Sequence, residues 1–133
     1  MVNGMIQKQT SDAKHRQSTN LISIDEFKKL DLRIGTITDI KDHPNADKLF
    51  VLQVDLGDEK RQLVAGLKGI YNAEDLKGKQ IVVSCNLEQK ELRGVKSEGM
   101  LLSSKDGTIL MPQKKVANGS NPPKLFSTND VMR

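Results

Sequence analysis

A chain of 133 residues has room for one domain, and its composition, 36% hydrophobic and 29% charged with a mean hydropathy of −0.49, is that of a soluble protein. The single cysteine, Cys85, excludes an internal disulfide and a four-cysteine zinc site; no run nears the ~18 apolar residues of a membrane span, and no apolar leader marks the chain for export. Lys plus Arg outnumber Asp plus Glu by 21 to 17, a net +4 that permits a nucleic-acid partner without requiring one, while three Phe, one Tyr and no Trp argue against a row of base-stacking platforms.

Residues 1–20 are rich in Gln, Ser, Thr, Asn and Lys and keep no apolar period, so they read as a flexible tail or linker ahead of a domain spanning 21–133. Ser23-Ile24-Asp25-Glu26 is a capping box, which predicts a short helix that carries Ile24 and Phe27 and stops near Leu30-Asp31. Leu32–Ile40 reads as a strand whose alternation slips at Gly35, the place expected for a β-bulge or bend. The turn chemistry of Asp42–Asp47 precedes a strand over Lys48–Leu56, in which Phe50, Leu52, Val54 and Leu56 alternate. Gly57-Asp58 then turns the chain into a third strand, Lys60–Ala65. A helical turn is expected around Asn72–Leu76, followed by a β-rich run over Gln80–Leu87. Short strands at Met100–Ser103 and Thr108–Met111 flank the turn Lys105-Asp106-Gly107, and Asn118–Pro123 is loop-like again. One leading helix, five or six strands and a helical turn between the third and fourth predict an all-β chain. The layout is that of a five-stranded Greek-key oligonucleotide-binding (OB) barrel. Leu52, Val54, Ile81, Val83, Leu101 and Ile109 are its expected core residues.

Catalytic motifs are missing: there is no phosphate loop, no dinucleotide fingerprint, no nucleophile elbow and no HExxH, and no cofactor is implied. His43, beside Pro44, reads as a turn histidine, and Cys85 as a small buried hydrophobe. Between Lys90 and Lys96 a polar, glycine-containing link carries Lys90, Arg93 and Lys96, which can lie along a phosphate backbone or simply be solvated. Ser97 can donate and accept a hydrogen bond, Gly99 permits close backbone approach, and Met100 either lies under a base or begins an apolar core strand.

Three segments in this order, His43-Pro44-Asn45-Ala46-Asp47-Lys48-Leu49, Leu63-Val64-Ala65-Gly66-Leu67 and Ser97-Glu98-Gly99-Met100-Leu101-Leu102, resemble a family of tRNA-binding domains. Its members stand at the C-terminus of many methionyl-tRNA synthetases, stand alone, or form part of the endothelial-monocyte-activating polypeptide. The resemblance covers roughly Ile24 to Gly119. It implies an OB barrel without catalysis of its own that binds tRNA by shape, in trans or as the C-terminal part of a methionyl-tRNA synthetase, and so raises the local tRNA concentration. Lys48, Ser97 and Met100 match positions at the family's RNA-binding face, and Asn86 and Arg93 match further family positions. With Lys90 from the basic link, these six are the expected tRNA contacts. A cytoplasmic homodimer is also implied, with the helix at Ile24–Leu30 and the stretch Val116–Phe126 as its expected interface. The family's cytokine-like members carry a further domain after the barrel, for which the fourteen residues after Gly119 leave no room. A chaperone related to this family shares the barrel without the Asn45–Leu49 and Ser97–Met100 signatures. A chaperone or protein-interaction module on the same barrel is the alternative, and it calls for an exposed apolar groove.

Overall fold

A computed structural model describes residues 20–120. The expected tail at 1–20, but for Asn20, and the stretch beyond Ser120 lie outside the described residues. The capping box forms as its residues require. Ser23 Oγ accepts the Glu26 N–H at 3.0 Å and Glu26 Oε1 accepts the Ser23 N–H at 3.0 Å, which opens α1, Ile24–Phe27. With four residues and no buried side chain, α1 lies at the surface, and Leu21, Ile22 and Leu30 around it are exposed.

β1 runs over Leu32–Asp42 and organises the barrel. Its first half pairs antiparallel with β4, Gln80–Ser84, and its second half with β2, Phe50–Asp55. β3, Lys60–Ala65, joins the outer edge of β2, and β7, Met100–Leu101, joins β4, so the sheet order is β3-β2-β1-β4-β7. This is the five-stranded antiparallel, nearly closed barrel predicted from the strand spacing. The helical turn α2, Ala73–Leu76, stands between β3 and β4, as expected, and caps one end of the core with the fully buried Leu76.

The bulge is not at Gly35. Gly35 pairs in register with Ile81, and the slip lies between Ile37 and Asp39, where Thr38 is the extra residue. Gly35 instead answers to packing: a Cβ there would lie 2.6 Å from Val54 Cγ1 and 2.7 Å from Leu56 Cδ2. Leu52, Val54, Ile81, Val83 and Ile109 are buried in one cluster with Ile37, Leu56 and Leu63, and Leu101 packs against it half-buried. The expected second strand at Thr108–Met111 shrinks to one bridge, Ser103 to Ile109, because Gly107 and Ser104 close a tight loop. The strands at 48–56 and 80–87 are shorter than their alternation suggests, ending where the chain leaves the ladder at Asp55 and Ser84.

The polar link between Lys90 and Lys96 is a second, two-stranded sheet. β5, Lys90–Leu92, pairs antiparallel with β6, Val95–Ser97. Leu92 faces Val95 across a two-residue turn, in which Arg93 has φ 53° and Gly94 has φ 88°. Two positive φ values in succession make the hairpin turn whose twist suits its strands.

Candidate nucleic-acid interface

The site lies where the barrel closes. β3 is the open edge of the sheet, so the N–H groups of Gln62 and Val64 need partners from outside the ladder. The last residue of β6 and the residue after it supply them. Ser97 Oγ accepts from the Val64 N–H at 3.0 Å, Glu98 Oε1 accepts from the Gln62 N–H at 2.9 Å, and the Glu98 N–H returns to the Gln62 carbonyl at 2.8 Å. The Ser97 hydroxyl donates in turn to the Gly99 carbonyl at 3.0 Å, and its residue is 6% exposed. Arg61 reinforces the seam by donating to the carbonyls of Cys85 and Glu98. Its hydrogen-bonded pairing with Glu59, at 3.0 Å, raises the guanidinium pKa further and holds the Glu59 carboxyl below the ordinary carboxylate range.

Over this seam lie two shallow depressions, of about 270 and 370 Å3. The first is walled by Leu87, Lys90, Leu92 and Ser97, the second by Leu67, Ile70 and the loop 103–107. Val64 and Met100 line both. Met100 begins β7 but is 51% exposed, so it is not a core residue. Gly99 lets the chain pass close to β4, since a Cβ there would lie 2.9 Å from the Ser84 carbonyl oxygen. Ile70 and Leu87 are also exposed, which gives the face an apolar floor.

Lys90 lines the first depression and Lys105 the second. Lys48, Lys90, Arg93 and Lys96 are exposed, and no salt bridge among the described residues engages them, whereas Lys68 is paired with Asp42 at 3.1 Å. The charge is not all of one sign: Glu88 lines the first depression and Glu91 faces Lys96 across the hairpin.

The structure brings Lys90, Ser97 and Met100 together in the first depression. Arg93 stands at the tip of the adjoining hairpin, and Lys48 follows the turn that touches that tip. Asn86 has a different place. It lines neither depression: its Oδ1 accepts the Asp31 N–H at 2.8 Å and its Nδ2 donates to the Lys29 carbonyl, so it ties the chain after α1 to the end of β4.

Two residues of the first family segment, His43 and Asn45, have partners that the sequence did not show. His43 is 5% exposed, not a free turn residue: its Nδ1 accepts the Asn45 N–H at 2.9 Å, and its Nε2 lies 2.8 Å from the Leu92 carbonyl and therefore carries the proton and donates. Asn45 Nδ2 donates to the Arg93 carbonyl at 3.1 Å. Their place in dense turn chemistry was legible, but their partners are about fifty residues away. Among the described residues no group of three His, Cys, Asp or Glu side chains is placed to hold a metal ion, and no helix is long and apolar enough to cross a membrane.

The strand order, the buried barrel and the lysine-lined face over its seam define a binding module of the OB type. The family described as "Putative tRNA binding domain" matches residues 32–121, and the chain belongs to that family. It is 54% identical over 110 residues to the methionine–tRNA ligase of Thermococcus kodakarensis, an alignment covering 80% of this chain and 15% of the ligase. Among solved structures, the MetRS related protein from Pyrococcus horikoshii is similar with a TM-score of 0.69 at 31% identity, covering 77% of this chain and 97% of that one. The chaperone CsaA from Bacillus anthracis is similar with a TM-score of 0.70 at 34% identity, covering 76% and 97%. The chain thus spans about a sixth of the ligases it resembles and nearly the whole of these two solved chains.

Proposed function

We propose that the chain is a non-catalytic tRNA-binding module that serves a methionyl-tRNA synthetase, in trans or as its C-terminal part, by raising the tRNA concentration near the catalytic domain. The observation that carries this reading is the exposed Met100 set between two shallow depressions, with Lys90 lining the first and Arg93 at the tip of the adjoining hairpin, in a chain of the tRNA-binding family. Lys48, Lys90 and Arg93 contact phosphates, and Met100 packs against an unstacked part of the RNA. Ser97 serves the face by holding its wall, and Asn86 by fixing the adjoining segment. The mixed charge favours recognition of a folded shape over capture of any polyanion. Tethering such a weak site to a second one multiplies avidity by about 10²–10⁴ where the geometry allows.

The working assembly is a cytoplasmic homodimer. The exposed Leu21, Ile22 and Leu30 around α1 support it, since a two-fold contact there would cover them. Light scattering that finds only the 14.8 kDa species at micromolar concentration would remove this part.

The test is filter binding of total tRNA against single-stranded and double-stranded RNA across a salt series. tRNA should bind more tightly than both controls, and Lys48→Ala or Arg93→Ala should each flatten the log–log salt slope by roughly 0.7–0.9. Equal affinity for all three RNAs refutes shape recognition. The apolar floor of Leu87, Met100 and Ile70, together with the likeness to a chaperone, favours polypeptide as the second reading. Binding of an unfolded polypeptide in preference to tRNA would select it.

A further inference from the structure

The Asp42–Asp47 turn grips the hairpin tip. The tip holds an uncommon backbone conformation: Arg93 is the one non-glycine residue among the described residues with positive φ, at 53°. Such a conformation persists where the surroundings over-determine it. Here two successive carbonyls at the tip, those of Leu92 and Arg93, are held by the same turn. The His43 Nε2–H takes Leu92 O at 2.8 Å and Asn45 Nδ2 takes Arg93 O at 3.1 Å. His43 is itself fixed, because its Nδ1 accepts the Asn45 N–H and its own N–H donates to the Leu49 carbonyl at 3.0 Å. The β5–β6 ribbon is only three residues long on each strand and is not hydrogen-bonded into the five-stranded sheet by a ladder, so by itself it would be marginal.

We infer that His43 and Asn45 are positioning residues for RNA binding: they latch the hairpin and so aim the Arg93 guanidinium at the surface that Lys48 also serves. This rests on the functional reading above. The latch removes freedom from a tip that would otherwise have to be ordered when RNA arrives.

Asn45 is exposed, so Asn45→Ala removes one arm of the latch without opening the core, whereas buried His43 is a poorer first target. Wild type, Asn45→Ala, Arg93→Ala and the double variant of the full chain are titrated with total tRNA at one salt concentration. Asn45→Ala should weaken binding by about three- to tenfold, the range that one net hydrogen bond commands. In the Arg93→Ala background the same change should cost less than about twofold, because the residue it aims is gone. Amide exchange in Asn45→Ala should quicken at Arg93, Gly94 and Val95 and stay unchanged in β1–β4. Equal losses in both backgrounds, no loss in either, or unchanged exchange at the tip overturns the positioning role. Full affinity in Arg93→Ala overturns this inference alone, whereas no tRNA binding by wild type overturns the functional reading and the inference with it. The exchange rates distinguish that case from a latch that does not exist.

Discussion

Ser97→Ala separates a structural hydroxyl from an RNA-binding one. The hydroxyl is the acceptor for the Val64 N–H and the donor to the Gly99 carbonyl, both at 3.0 Å. Alanine leaves the Val64 N–H at a closed seam with no acceptor, and water has little access there, since Val64 is 9% and Ser97 6% exposed. An unsatisfied buried donor costs about 1–3 kcal/mol. For a domain of this size each kcal/mol moves the melting temperature by about 4–8 °C, so a loss of roughly 5–20 °C is expected. The assay is thermal unfolding followed by circular dichroism, paired with tRNA titration well below the variant's melting temperature. Folded Ser97→Ala should keep affinity within about twofold, because the hydroxyl has no further proton to donate. An unchanged melting temperature with tRNA binding lost would refute the closure argument and make Ser97 a direct RNA contact.

Met100→Ala should do the reverse. With Met100 51% exposed, the variant should melt within a few degrees of wild type and yet bind tRNA more weakly at an unchanged salt slope; a steep fall in melting temperature would return this residue to the core. Gly35→Ala should destabilise by about 1–3 kcal/mol through overpacking, read as a lower urea midpoint, because the new methyl meets Val54 and Leu56 side chains and the Asp55 carbonyl oxygen at 3.0 Å. Stability should also fall at both ends of the pH scale. Burial pushes the Cys85 thiol up, so the unfolded chain gives up its proton first and stability declines as pH rises beyond about 8.5. The hydrogen bond from Arg61 holds the Glu59 carboxyl down, so its contribution is full above about pH 4.3 and is lost as pH falls through its depressed value. Urea midpoints between pH 3 and pH 10 check both limbs; Cys85→Ala should flatten the alkaline one and Glu59→Gln the acid one.

What the sequence determined by itself is local. Ser23 and Glu26 satisfy each other's backbone within one turn, so α1 was legible before any fold was known. The alternation of Phe50, Leu52 and Val54 marks a half-buried strand because successive side chains point to opposite faces, and those three are buried while Val51 and Gln53 are not. Enough such strands with glycine-marked turns leave few architectures, and the barrel followed. Register was less accessible. The slip at Thr38 depends on where β1 leaves β4 and takes up β2, and the glycine nearby is required for a packing contact that only the folded neighbours create. The site divides in the same way. Lys48, Lys90 and Arg93 could be singled out from charge and motif alone. That the Ser97 hydroxyl closes the seam, that Met100 is at the surface and that His43 and Asn45 hold a hairpin tip are facts of pairs far apart in the chain. A hydrogen bond between residues about fifty positions apart has no local signature, so tertiary structure alone assigned those polar groups their partners.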